Sequence, residues 1–197
     1  CQIGMYHLCT RLELIGMEKS GGFAQYLVAP ADRVFKLPDS IDDDSASILD
    51  CVAVAVHVLK RTRITPSEKV AVLGGGTIGI ISAQLALAWG ASAAYVTDFS
   101  DYRLEIARRV GVTGTYNAGE IGFEEELLET SGGIDRVIEA VGGNAPTINQ
   151  ALRLVRPGGS VTFMGIFTQP VPVDLWEALH KEASIVPAWS YAYWGNM

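Results

Sequence analysis

The run Lys69-Val70-Ala71-Val72-Leu73-Gly74-Gly75-Gly76-Thr77-Ile78-Gly79 constrains the fold more than any other stretch of this chain. Five residues rich in valine suit an extended strand, a glycine cluster follows, and apolar residues then recur at helical spacing through Ile80, Ile81, Leu85 and Leu87. That pattern predicts strand, tight turn and helix. Gly74, Gly76 and Gly79 fit the spacing G-x-G-x-x-G. In that spacing the first glycine permits a sharp turn, the second lets a pyrophosphate approach the backbone, and the third lets helix and strand pack closely. Free N–H groups at the positive end of the helix dipole would then receive the diphosphate of a dinucleotide.

In a chain with 21 glycines the pattern is weak by itself, and its surroundings narrow the reading. A second strand-like run, Ala93-Ala94-Tyr95-Val96-Thr97, ends at Asp98, nineteen residues after Gly79. An acidic residue about 20 residues on is the one that grips the adenosine ribose in dinucleotide sites. A carboxylate there accepts hydrogen bonds from both ribose hydroxyls and repels a 2′-phosphate, so NAD is expected over NADP. Asp98 equally fits a helix N-terminus ahead of Phe99-Ser100-Asp101. Arg103, five residues further on, is within reach of the ribose edge and would weaken the discrimination.

Length and composition bound the rest. The 197 residues can form one good core and a partial second unit. With 49% hydrophobic and 19% charged residues the chain is a folded one, and a net charge of −7 argues against nucleic acid or an anionic membrane as partner. Residues 70–97 carry no charge at all, which raises the question of a membrane span. The glycines at 74–76 and 90 and the change of periodicity favour a buried strand followed by a buried helix instead. No secretory leader precedes this run and the three cysteines suit reduced thiols or metal ligands, so the cytoplasm is the expected compartment.

Along the chain, residues 1–36 read as loops and short strands, with Gly21-Gly22 leading into a strand at 23–29 and a second extended piece at 34–38. Cys1 and Cys9 are two thiols on spacing alone, since a closed zinc site wants four ligands. Asp42-Asp43-Asp44-Ser45 opens one long helix that runs to Lys60-Arg61-Arg63 and stops before Pro66. Asp50 falls on its apolar face and would need a cation, a metal or a donor; His57 reads as a packed histidine. Helices are expected at 102–110, 120–130 and 144–155, strands at 114–117, 134–140, 160–164 and 183–189, and a turn at Arg156-Pro157-Gly158-Gly159. Six strands joined by helices predict the α/β class: a doubly wound, parallel, six-stranded Rossmann sheet. Ligands in such sheets lie beyond the carboxyl ends of the strands, which gathers residues 74–79, Asp98, Val141-Gly142 and Gly165-Ile166 at one crevice.

Cys1-x7-Cys9 with Gly4 and Leu8 between, Gly21-Gly22-Phe23-Ala24-Gln25-Tyr26, Lys36-Leu37-Pro38, Asp50 in its apolar helix, the glycine turn, Asp98 with Arg103, and Pro157-Gly158-Gly159 occur in a familiar order. The chain resembles the zinc-dependent medium-chain alcohol and polyol dehydrogenases, with the sorbitol and threonine dehydrogenase branch most similar. The resemblance implies hydride transfer between a secondary alcohol or polyol and NAD, with zinc stabilising the alkoxide. It implies cofactor contacts at Gly74, Gly76, Thr77, Ile78, Gly79, Asp98, Arg103, Val141, Gly165 and Ile166. It makes Cys1 and Cys9 the third and fourth ligands of a structural zinc, the other two and the Cys and His of a catalytic zinc lying upstream of residue 1. Asp50 takes the place of a Glu, Asp or Cys that coordinates or flanks the catalytic metal, with Cys51, in place of a common Pro, as a competitor. The implied domains are a remnant of the zinc-bearing catalytic domain at 1–40, the NAD-binding domain at 41–190, and a return to the catalytic domain at 191–197. A homodimer or tetramer through the sixth strand is expected. Two alternatives stay open: a noncatalytic NAD-binding redox sensor, and a zinc-free reductase of the same superfamily.

Overall fold

The computed structural model describes residues 5–192, so Cys1 and residues 193–197 lie outside the described part. Two compact units divide the chain at residues 50 and 51, with the segment from Ala192 onward grouped with the first. The second, residues 51–191, carries the sheet.

Its strands are β1 (Lys69–Leu73), β2 (Ala93–Asp98), β3 (Gly114–Asn117), β4 (Ile134–Glu139), β5 (Val155–Phe163) and β6 (Ser184–Pro187). They pair in parallel in the order β3-β2-β1-β4-β5-β6. The helices are α1 (Asp43–Ala46), α2 (Leu49–Thr62), α3 (Thr77–Ala88), α4 (Asp101–Arg109), α5 (Phe123–Ser131), α6 (Thr147–Leu154) and α7 (Leu175–His180). This is the expected doubly wound α/β sheet.

Alternation along the central strands builds a core on each face. Val70, Val72, Ala94, Val96 and Ile138 meet Val58, Leu59, Ile80, Ala83, Leu104 and Ala107 on one side. Ala71, Leu73, Tyr95 and Val137 meet Phe123, Leu127, Ile148 and Leu152 on the other. Strands covered on both faces need no polar side, which accounts for the uncharged run at 70–97. No helix among the described residues is long and apolar enough to cross a membrane.

Several local expectations change. The long helix from Asp42 is two helices, α1 and α2, because Ser47 turns its hydroxyl onto the Asp44 carbonyl at 2.6 Å and competes with the helical ladder. The stretch 23–29 is not a strand, nor is 34–38: neither pairs with a neighbour among the described residues, and Phe23, Tyr26 and Val28 are at least 90% exposed. The helix expected from 120 starts only at Phe123, after Gly122. That expected from 144 starts at Thr147, after Pro146. The turn at 156–159 is an insertion inside β5, where the register with β4 jumps from Ile134↔Val155 to Arg136↔Ser160. Helix α7 was not expected at all, its six residues being too short to show a period.

Candidate functional site

The strand order reverses between β1 and β4, whose last residues Leu73 and Glu139 are paired. The chain therefore leaves these two strands toward opposite sides, and a crevice opens between the turns that follow. The Ala140 N–H donates to the Leu73 carbonyl at 2.9 Å and holds the two turns side by side.

Each glycine of the first turn has a separate steric reason. Gly74 has φ +102, and a Cβ there would sit 2.9 Å from the Val141 side chain. A Cβ on Gly79 would overlap the Gly74 carbonyl oxygen, so this glycine lets α3 lie against the end of β1. Gly76 is different: its φ of −71 suits any residue, and nothing lies within 4 Å of where its Cβ would be. It is the N-cap of α3, with no side chain capping the helix. Space above Gly76 and uncapped amides on Thr77, Ile78 and Gly79 together fit a pyrophosphate.

A cleft of about 460 Å³ opens at this point, lined by Cys51, Gly76, Thr77, Ile78, Gly79, Ala140, Val141, Met164, Gly165 and Ile166. Its far wall is stitched together by the Gly143 N–H, which donates to the Ile166 carbonyl at 2.8 Å. Val141 and Ile166 are 47% and 67% exposed, so apolar side chains face an open slot. Thus Gly76, Thr77, Ile78, Gly79, Val141, Gly165 and Ile166 converge, and Gly74 forms the turn beneath them.

Asp98 ends β2 beside this turn. One carboxylate oxygen accepts the Gly75 N–H at 2.8 Å, and the other accepts the Ser100 N–H at 2.8 Å. Arg103 approaches the first oxygen at 3.3 Å, its side chain 55% exposed against 9% for Asp98. Asp98 thus flanks the glycine turn and also braces the start of α4, where Ser100 is the N-cap. Four lone-pair sites on a carboxylate leave it room to accept from a further hydroxyl.

Of the expected metal residues, Asp50 and Cys9 are among the described residues. Asp50 is exposed in the first turn of α2, where a carboxylate suits the helix dipole, so the expected buried carboxylate in need of a partner is corrected. Cys9 is a free, half-buried thiol whose sulfur accepts the Arg11 N–H at 3.4 Å, and Cys1 lies outside the described residues. Among the described residues no three His, Cys, Asp or Glu side chains are grouped to hold a metal ion. His57 is buried at 2% exposure, as a packed histidine would be.

Sequence reasoning missed Glu139. It is fully buried at the end of β4, where its Oε1 accepts from the Val141 N–H at 2.9 Å, the Gly142 N–H at 2.8 Å and the Thr147 hydroxyl at 2.8 Å. The available signal was a charged residue inside the apolar run Val137-Ile138-Glu139-Ala140-Val141.

The family model for zinc-binding dehydrogenases matches residues 77–197, well over half of the chain. The chain belongs to the zinc-binding dehydrogenase family. L-threonine 3-dehydrogenase of Anaeromyxobacter sp. strain K is 36% identical over 183 residues, 92% of this chain and 52% of that enzyme. The Vibrio parahaemolyticus enzyme of the same name is 37% identical over 183 residues, 92% of this chain and 53% of its own. Among solved structures, an alcohol dehydrogenase of E. coli CFT073 complexed with NADH is 28% identical, with a TM-score of 0.90 over 98% of this chain and 57% of that one. A zinc-binding dehydrogenase of Sinorhizobium meliloti 1021 bound to NADP is 29% identical, with a TM-score of 0.87 over 98% of this chain and 58% of its own. This zinc-binding dehydrogenase chain spans about half the length of the curated relatives it matches.

Proposed function

We propose that this chain supplies the NAD-binding part of a zinc-dependent dehydrogenase that oxidises a small secondary alcohol or polyol in the cytoplasm. The observation that carries the reading is the empty space over Gly76 beside uncapped helix amides, at the point where strand order reverses. Thr77, Ile78 and Gly79 present their N–H groups to the pyrophosphate. Asp98 takes the adenosine ribose hydroxyls with the acceptor capacity that Gly75, Ser100 and Arg103 leave over. Ile78, Val141 and Ile166 form the apolar slot that excludes water from the nicotinamide end. Bound NAD supplies the hydride acceptor. Relatives named for threonine, itself a secondary alcohol, support that substrate class. Zinc ligation by Cys1, Cys9 and Asp50 belongs to a whole protein that brings further ligands, with Asp50 the catalytic-metal candidate of this chain.

Calorimetric titration with NAD and NADP tests the reading. NAD is expected to bind more tightly. Tighter NADP removes Asp98 as the discriminating residue, and binding of neither overturns the assignment.

Assembly through β6 is part of the same proposal. This strand pairs with β5 on one side and ends the sheet, and Arg61 Nε donates to the Pro187 carbonyl at 3.1 Å. An unpaired strand edge invites a second copy. Sedimentation is expected to give a dimer or tetramer, and substituting Ile185 by Lys to shift it toward monomer.

A further inference from the structure

Glu139 carries a feature that strand pairing does not explain. Its carboxyl is wholly buried, yet only Oε1 is hydrogen-bonded; Oε2 has no partner among the described residues. Leaving a buried carboxyl oxygen unpaired is costly, so the position is maintained by something the carboxyl does elsewhere. Its three bonds all go to one short segment: the Val141 and Gly142 amides and the hydroxyl of Thr147, the first residue of α6. The Glu139 carbonyl meanwhile accepts the Met164 N–H at 2.9 Å and the Gly165 N–H at 3.2 Å. One residue thus holds both turns that wall the cleft.

The fit around it is tight. A Cβ on Gly165 would come within 2.5 Å of Oε2, and one on Gly142, which has φ +66, would lie 2.6 Å from the Ile166 carbonyl oxygen. The two glycines let the turns close over the carboxyl until their backbones touch.

We propose that Glu139 is the positioning residue for the nicotinamide end of the cleft: its carboxyl fixes the Val141-Gly142 turn while its carbonyl holds the Met164 and Gly165 amides, and the two together set the width of the slot that takes the flat ring. The inference rests on the dinucleotide reading above. Glu139 touches neither the pyrophosphate amides nor Asp98, so only the nicotinamide half of the ligand depends on it.

Titrating the full chain with NADH and with ADP-ribose, which lacks the nicotinamide, separates the two halves. Glu139→Gln keeps one oxygen acceptor but removes the charge that strengthens the bonds from Val141, Gly142 and Thr147. It is expected to weaken NADH about tenfold, or about 1.4 kcal/mol, and leave ADP-ribose within about twofold. Thr147→Val removes one of the three donors without changing side-chain shape and is expected to act in the same direction, about threefold, so the test survives if the first variant does not fold. Equal losses for both ligands in a variant with unchanged circular dichroism, or unchanged NADH affinity in both variants, would overturn the proposal. Wild-type chain that binds neither ligand overturns the cofactor reading itself and this inference with it, a pattern distinct from a change confined to the variants.

Discussion

Three glycines of one turn are separated by what a methyl group would meet. Gly79→Ala drives a methyl into the Gly74 carbonyl and is expected to destabilise the fold by about 3 kcal/mol, read as a lowered urea midpoint. Gly76→Ala meets nothing and keeps an allowed backbone, so the midpoint is expected to hold or rise while NADH affinity falls more than about tenfold. Loss of stability in Gly76→Ala would mean that the space over this residue serves the fold and not a ligand. Asp98 needs both measurements. Asp98→Ala strands the buried Gly75 N–H and is expected to cost about 1–3 kcal/mol of stability besides its effect on binding. Arg103→Ala leaves that bond in place, and its expected effect is a larger NAD preference, because the cation nearest the ribose edge is gone.

Between elements, one part-buried ion pair ties the loop ahead of β1 to the middle of the sheet. Arg136 on β4 makes a two-pronged contact with Glu68, at 3.0 and 2.7 Å, and donates to Ser160 on β5 at 3.0 Å. Burial pushes the Glu68 carboxyl up, but the Arg136 guanidinium and the Thr65 N–H more than reverse this, and it lies below its ordinary 4.5. Burial likewise works against Asp135 and Glu124, and the Lys69 N–H with Arg156 holds the first below 3.8 while Arg153 with Gln150 holds the second below 4.5. A carboxyl lowered by folding stabilises the fold fully above its ordinary value, and that contribution is lost as the pH falls through the lowered value. Thermal midpoints are therefore expected to be level above about pH 5 and to drop below about pH 4.5. Arg136→Met leaves the Glu68 carboxylate buried without its cation, so the variant is expected to be less stable at pH 7, and the gap to narrow as acid protonates Glu68.

Across the whole molecule, protection is expected to follow the two units. No described residue from 5 to 50 is buried, whereas β1, β2 and β4 are buried along most of their length. Hydrogen exchange should release the amides of 5–50 more than about a hundredfold faster than those of β1 and β4. Uniform protection would contradict that division. The same contrast governs what could be read in advance. Strand β1, the glycine turn, α3 and β2 were legible because each is a local signal: a period, a glycine spacing, a run of apolar residues. The strand expected at 23–29 failed for the opposite reason, since its pattern was adequate and what it lacked, among the described residues, was a neighbour to pair with. By itself, then, the sequence determined the alternation of strands and helices and the turn that can receive a diphosphate, because backbone conformation and side-chain periodicity are properties of adjacent residues. Only the tertiary structure decided that Asp98 is shared between the turn and α4, that Asp50 stands exposed, and that Glu139 joins two cleft walls, one through its carboxyl and the other through its carbonyl, because each depends on which separate parts of the chain folding brings together.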